Sequence, residues 1–517
     1  TSTWSPVLGQ PSFAAASTPL APLQARLSPD GSIYILYGDQ AGPNFMNTGQ
    51  LWEFTPGSNW VSGTWKQITL PNQNLTINDS NGYGGIAVDP SHAGYLLLST
   101  LDQYWATGDV VYYSTDDGAS WRDVSSHTTP GLPYSVSPNL ATHDDSIAPW
   151  FGPADALTTG NWVTALAIDP FNADHAMYST GGMLWATTNL TTAAPSANST
   201  GIVDWTIGAS GIEETAVEGL WAPPSGETIL LSSIGDVYGF AHQNLTAAPQ
   251  ANFTNPAATP TSMDFEQNTP TTVVRVTDGN HGVEPLGVSS TDGGQTWTAF
   301  AAIPPGSEGG GVIAIAPDGS SIVWATEDTA SVWYSKDGGL TWTPSTGISP
   351  QAQVVSDRVQ PGVFYGFSKG TLSLSTDGGA TFTTVQSGLP GNGVLSVLPD
   401  AQGDLWLSGQ SSGLYSNSGS ATSPNLTAVA GIQDAFHLGF GKTAPGSTRP
   451  TLFLDGQIGG QGGLYRSTDD GATWIQINDA AHQWGGIGPV CGDMRTFGTV
   501  YLGTEGGRGI IWGTSEN

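Results

Sequence analysis

Asp236 follows a hydrophobic run, Leu230 to Ile234, and lies in a glycine-flanked turn, with Gly235 before it and Val237, Tyr238, Gly239 and Phe240 after it. A strand that ends in such a turn delivers a side chain to the rim of a sheet, where ligands arrive. A carboxylate partly desolvated by aromatic surface holds its proton more tightly than one in water. That is what a general acid needs, for instance in cleavage of a glycosidic bond. The same pattern also fits an aspartate that only caps a turn. Glu213 and Glu214 are reserve candidates for the acid. Adjacent strand residues face opposite ways, so at most one of them faces a given site. Asp278, in Val276-Thr277-Asp278-Gly279-Asn280-His281, reads as a hairpin turn.

Flat side chains are the second chemical resource. Tyr104 and Trp105 are adjacent in the loop Leu101 to Ala106, where both cannot easily be buried. One of them is a candidate platform for a sugar ring, or else a loop anchor. The 19 Trp and 15 Tyr of the chain make a large stock of such surfaces. No Cys/His cluster suggests a metal, and no cofactor is expected; the eight His are scattered, and His482 fits packing as well as function.

Composition narrows the partners. Only 11% of the 517 residues are charged and the formal net charge is -31. Such a chain repels nucleic acid and anionic lipid and fits a neutral partner better. No apolar run is long enough for a membrane span. The single cysteine, Cys491, excludes an intrachain disulfide. Asn74, Asn78, Asn189, Asn198, Asn244, Asn252 and Asn425 each stand in an Asn-X-Ser/Thr sequon, which points to a secreted, extracellular protein able to carry N-glycans. Without a signal peptide, the sequence reads as a mature or processed form.

The elements that position these residues repeat. Short apolar runs separated by Gly, Pro, Ser, Thr and Asn indicate an all-β protein. The motif Ser-Thr-Asp-X-Gly-X-Thr-Trp recurs at Ser114–Trp121, Ser290–Trp297, Ser335–Trp342, Ser375–Phe382 and Ser467–Trp474, with a worn copy at Tyr415–Gly419. Successive aspartates Asp292, Asp337 and Asp377 are 45 and 40 residues apart. This is the Asp-box, a hairpin whose Asp and Gly close a tight turn and whose aromatic packs back into the sheet. Its aspartates are therefore structural. A second repeated element is a strand ending in Asp-Pro or Pro-Asp, as at Asp89-Pro90, Asp169-Pro170 and Pro317-Asp318. Four strands in each 40 to 50 residues is the signature of β-propeller blades.

In chain order, Thr1-Ser2-Thr3-Trp4 reads as the tail of an Asp-box, so the sequence starts inside a blade. A loop-rich stretch around His143-Asp144-Asp145 and Trp150 suggests a domain boundary near residue 160. Residues 161–517 then suit seven blades, whereas residues 1–160 supply only about three. Three blades cannot close a ring, so roughly four are expected upstream.

Several segments together resemble glycoside hydrolase family 74, the xyloglucan-cleaving tandem-propeller enzymes. They are Ala165–Asn172, Gly211–Val217, Gly235–Phe240, Gln353–Val359, His482–Trp484 and Gly507–Ile511. They follow the family's order and span nearly all of the chain. The resemblance implies two seven-bladed propellers, the first incomplete here, with a cleft that takes a β-1,4-glucan. It implies inverting hydrolysis by two aspartates, with Asp236 as the acid. The family's base lies in a Thr-Asp-Ile-Gly-Gly segment that this sequence lacks; Thr504-Glu505-Gly506-Gly507 is only superficially similar. The base is thus expected in upstream blades, supplied by an upstream fragment of the same protein. An inverting pair leaves room for water, about 6.5–9.5 Å between carboxyls. Substrate contacts are expected from Tyr104, Trp105, Trp162 and Trp484, with Trp150 as a further candidate; each also fits a packing role.

Within that family, the short segment from Pro149 to Trp162 favours an open, endo-acting cleft over a reducing-end-specific exo enzyme. A sialidase, which also carries Asp-boxes, needs clustered arginines, and the eight here are spread from Arg26 to Arg508. A non-catalytic glucan-binding propeller is the remaining alternative.

Overall fold

Alternating apolar residues in short strands, each followed by a turn rich in glycine, fold into ten antiparallel sheets in strict chain order among the described residues. A computed structural model describes residues 7–11, 19–42, 44–58, 60–68, 70, 82–101, 109–125, 149–151, 162–180, 184–208, 215–235, 237–277, 286–505 and 507–514. Eight sheets have four strands and two have three, each a simple meander. The only α-helix among the described residues is the single turn Leu190–Ala193.

The chain divides into two compact units, Thr1–Glu214 and Thr215–Asn517. The first holds three sheets, over residues 21–68, 82–123 and 166–207. The second holds seven, over residues 217–242, 260–299, 312–344, 353–386, 394–428, 432–476 and 487–513. We number these sheets one to ten. The division therefore falls later than the boundary near residue 160 that the loop-rich stretch suggests. The reason is packing: Leu166, Tyr178, Trp185 and Trp205 of the third sheet share one buried core with Leu97, Val111 and Tyr113 of the second.

Within the second unit, successive sheets pack face to face, and the strand Val217–Trp221 lies against Ile487–Gly492 and Val500–Thr504 of the last sheet. Seven sheets thus close a ring, a seven-bladed propeller. Apolar cores fill the spaces between blades. Val274, Val276 and Phe300 of the fifth sheet, for example, enclose Ile313, Ile315 and Trp324 of the sixth. Each such buried side chain contributes about 1.5–3 kcal/mol.

The Asp-boxes join third to fourth strands, as the motif requires. In the box of the fifth sheet, Ser290 Oγ donates to Asp292 Oδ1 at 2.7 Å, and Asp292 also accepts from Thr296 N at 2.9 Å and Thr296 Oγ1 at 2.6 Å. Gly294 has φ +87°, and a Cβ there would meet Leu231 at 2.7 Å, so glycine alone fits. Trp297 returns to the core with 7% exposure. The worn copy works the same way, with Asn417 Oδ1 accepting from the amides of Gly419 and Asn425 at 2.8 Å each. The partial copy at Thr1–Trp4 lies outside the described residues.

Candidate functional site

In a meander, first-to-second and third-to-fourth connections lie at one end of a sheet, and second-to-third connections lie at the other. The Asp-boxes occupy the first end; of the described candidates, Trp162 and Trp484 precede the first strands Leu166–Ile168 and Ile487–Gly492, at the second end. In the fourth sheet, Leu230–Ile234 pairs with Tyr238–His242, and Ile234 opposite Tyr238 leaves Gly235 to Val237 as the link. Asp236 lies outside the described residues, as do Tyr104, Trp105, Glu213, Glu214, Asp278, Asn74 and Asn78.

The neighbours of Asp236 define its setting. Gly235 N donates to Ala216 O at 2.8 Å, and Gly239 N donates to Val237 O at 2.8 Å. Tyr238 has φ +71° and Gly239 φ +133°. A Cβ on Gly239 would stand 2.0 Å from Ser232 O, which excludes any other residue there. Tyr238 packs against the core that holds Phe253 and Trp297, and Phe240 is buried.

Glu218 adds a carboxylate that the sequence pattern did not single out. Val217 pairs with Ile234 and Gly219 with Ser233, so Glu218 is the extra residue of a β-bulge. Bulges re-aim side chains at sheet edges. The exposed Glu218 Oε1 lies 3.8 Å from the point where a Cβ on Gly235 would be. Its alternation within Val217-Glu218-Gly219-Leu220 marks it only as an outward strand residue; the bulge arises from pairing.

The last sheet meets the same rim. Gly509 N donates to Thr215 O at 3.2 Å, and Glu505 N donates to Gly486 O at 3.2 Å. Arg508 Nη1 donates to Trp484 O at 3.1 Å. Trp484, Glu505 and Arg508 therefore share the rim with Ala216 and Gly235. Trp484 is half-buried against the core of Phe453, Leu464 and Ile487, and its ring is 6.2 Å from that of His482. The exposed His482 Nδ1 meets Asp479 Oδ1 at 2.7 Å.

In the first unit, Trp162 is 39% exposed with φ +62°. Its backbone amide donates to the fully buried Asp109 at 2.8 Å, and its indole N–H donates to Asn44 Oδ1 at 3.2 Å. An exposed indole held at both ends offers a stacking face with little entropy left to lose. Trp150 differs: it sits in the turn Pro149–Phe151, half-buried against the core of the second and third sheets, the position of a packing residue.

Among the sequons, Asn198, Asn244 and Asn425 are exposed and Asn252 is partly so. Asn189 is engaged: its Nδ2 donates to Ile202 O at 3.1 Å and Asp204 Oδ2 at 3.3 Å. A glycan on that nitrogen would replace one of its two hydrogens and so break at least one of these bonds.

Comparison with known proteins accords with the architecture. The BNR/Asp-box repeat matches residues 333–344. The chain is 38% identical to a xyloglucanase of Paenibacillus sp. over 99% of its own length and 49% of the relative's. It is 33% identical to the oligoxyloglucan-reducing end-specific xyloglucanase of Emericella nidulans over 98% of its own length and 70% of the relative's. It thus spans about half the length of the first and about two thirds of the second. Among solved structures, the GH74 xyloglucanase from Xanthomonas campestris superposes with a TM-score of 0.80 at 34% identity, covering 99% of this chain and 69% of that one. The chain belongs to glycoside hydrolase family 74.

Proposed function

We propose that this chain carries the general-acid half of a xyloglucan-cleaving glycoside hydrolase, with Asp236 protonating the leaving glycosidic oxygen. The observation that carries the reading is the setting of the Gly235–Val237 link. Gly235 and Val237 lie at the second-to-third connection of the fourth sheet, Tyr238 beside them packs on the aromatic core, and the Glu218 carboxylate lies beside Gly235. In this reading Trp162 in the first unit and Trp484 in the second, with Tyr104 and Trp105, each offer an aromatic contact to a neutral β-1,4-glucan, consistent with a chain poor in charge. The hydrolysis is inverting and endo-acting, the water-activating carboxylate comes from an upstream part of the protein, and the protein is secreted, with Asn198, Asn244, Asn252 and Asn425 as its described glycan acceptors.

Release of reducing ends from xyloglucan, measured with the intact mass of the same preparation, tests this. Asp236→Asn should lower kcat by about a hundredfold or more. Unchanged cleavage would remove Asp236 from the role. Activity from a single species of 53.5 kDa would place the water-activating carboxylate among these residues. The Emericella relative, named for reducing-end specificity, supports a second reading as an exo enzyme. Products separate the two: a rapid fall in polymer viscosity marks endo cleavage, and steady release of short oligosaccharides without it marks exo cleavage.

A further inference from the structure

Arg275 lies on the strand Val273–Thr277 of the fifth sheet and has no exposure to solvent. Its guanidinium stands 4.8 Å from the centre of the Phe253 ring and 4.3 Å from that of Trp297. The two rings meet edge to face at 5.3 Å. Nη2 donates to Pro256 O at 3.1 Å, and among the described residues Nε and Nη1 meet no acceptor. Burial pushes the group down to about 9. An apolar side chain of similar volume would fill this place without desolvating a charge, so the cation has a use beyond filling space.

What the guanidinium grips is the segment from Phe253 to Pro256. That segment stands where the three-stranded fourth sheet lacks a fourth strand, and Phe253 N donates to Gly239 O at 2.8 Å. Gly239 in turn bonds Val237, the residue after Asp236. The Phe253 ring also lies 3.0 Å from the position of the absent Gly239 Cβ. Asn255 Nδ2 donates to Trp297 O at 3.2 Å and ties the same segment to the fifth sheet's Asp-box. Two contacts therefore separate the guanidinium from the turn: Arg275 to the segment, and the segment to Gly239.

We infer that Arg275 is a positioning residue, which clamps Phe253 to Pro256 against the third strand of the fourth sheet and so fixes the turn that carries Asp236. Cation–π attraction to two rings sets where the segment lies, and one charge-assisted bond sets its register. The inference deepens the general-acid reading of Asp236 and rests on it.

The test compares Arg275→Met, Arg275→Lys and Asp236→Asn in the full-length protein, upstream part included. Hydrogen–deuterium exchange is followed in peptides covering Leu230–His242 and, as a reference, Phe364–Ser375. Arg275→Met should raise exchange in the first by about tenfold and leave the second unchanged, and Arg275→Lys should recover part of the protection. On xyloglucan, Arg275→Met should lower kcat by about ten- to a hundredfold at unchanged KM. The loss should shrink on an aryl glycoside whose leaving group needs no proton. Unchanged exchange in Leu230–His242, or an equal rise in both peptides for both variants, overturns the inference and leaves Arg275 a core residue. Raised exchange with unaltered kcat, while Asp236→Asn is impaired, overturns it as well. Full activity in Asp236→Asn would instead remove the acid reading, and the exchange result alone would then decide whether Arg275 holds the turn.

Discussion

At the scale of single residues, His242 links the stability of the fourth sheet to pH. Glu218 Oε1 lies beside Gly235. If Asp236 is the acid, Glu218→Gln removes a like charge and lowers the acid's pKa. A general acid acts while protonated, so the alkaline limb of the kcat profile should move to lower pH, by about half a unit for a solvent-exposed neighbour. An unmoved limb would show that Glu218 does not act on the acid. His242 bonds Ser232 Oγ through Nε2 at 2.9 Å, and burial pushes it down from 6.5 to about 4. Its folded pKa is depressed, so the unfolded chain binds the proton first as pH falls. Stability should therefore decline from about pH 6.5 towards 4, and His242→Gln should flatten that decline in denaturant titrations. Much of this was hidden in the sequence. Asp236 stood out through its glycines and aromatics, which are local signals. Glu218 depends on a bulge created by pairing with another strand, and Arg275 on a ring from a box downstream and a segment upstream. Trp150, a conspicuous aromatic in a loop-rich stretch, is half-buried against the core of the second and third sheets.

At the scale of elements, the Asp-box is legible because all of its bonds are local. Ser, Asp, Gly and Thr lie within eight residues and satisfy one another, so the motif predicts the hairpin without knowledge of the fold. Replacing Asp292 by Ala should cost about 1–3 kcal/mol, read as a lower denaturation midpoint, since Ser290 and Thr296 lose their shared acceptor. The boxes also predict how stability is lost in acid. For Asp292, burial opposes the charge but the bonds from Thr296 and Ser290 outweigh it, and the carboxyl is held below the usual 3.8. In Asp337 the bonds from Thr341 dominate and hold it at about 2. Stability from these groups is complete above pH 3.8 and is lost as pH falls through the folded values. Acid unfolding of Asp337→Asn should accordingly show less pH dependence between 4 and 2 than the parent. The sheet boundary was less legible than the boxes. The third sheet has no Asp-box of its own, and only the shared core around Trp205 assigns it to the first unit.

At the scale of the whole chain, the second unit closes where its first and last sheets meet, and both have only three strands. Arg495 bridges that seam. Its Nε donates to Pro223 O at 2.9 Å, Nη1 to Gly226 O at 2.8 Å and Nη2 to Ser225 O at 2.9 Å, with a further bond to Thr228 O. Hydrogen bonds to a charged donor contribute about 1.5–3 kcal/mol each, net of the exchange with water. Arg495→Ala should therefore lower the unfolding temperature, with the first new exchange in peptides over residues 217–242 and 487–513 rather than around residue 364. No local pattern announces such a clasp, because its partners lie some 270 residues apart in sequence. The meander has a consequence for how such a protein can change over generations. The Asp-box hairpins stand at one end of the sheets that carry them, and the second-to-third turns stand at the other. Insertions or substitutions at the second end leave every Asp-box intact, so new specificities can be sampled there while the scaffold stays constant.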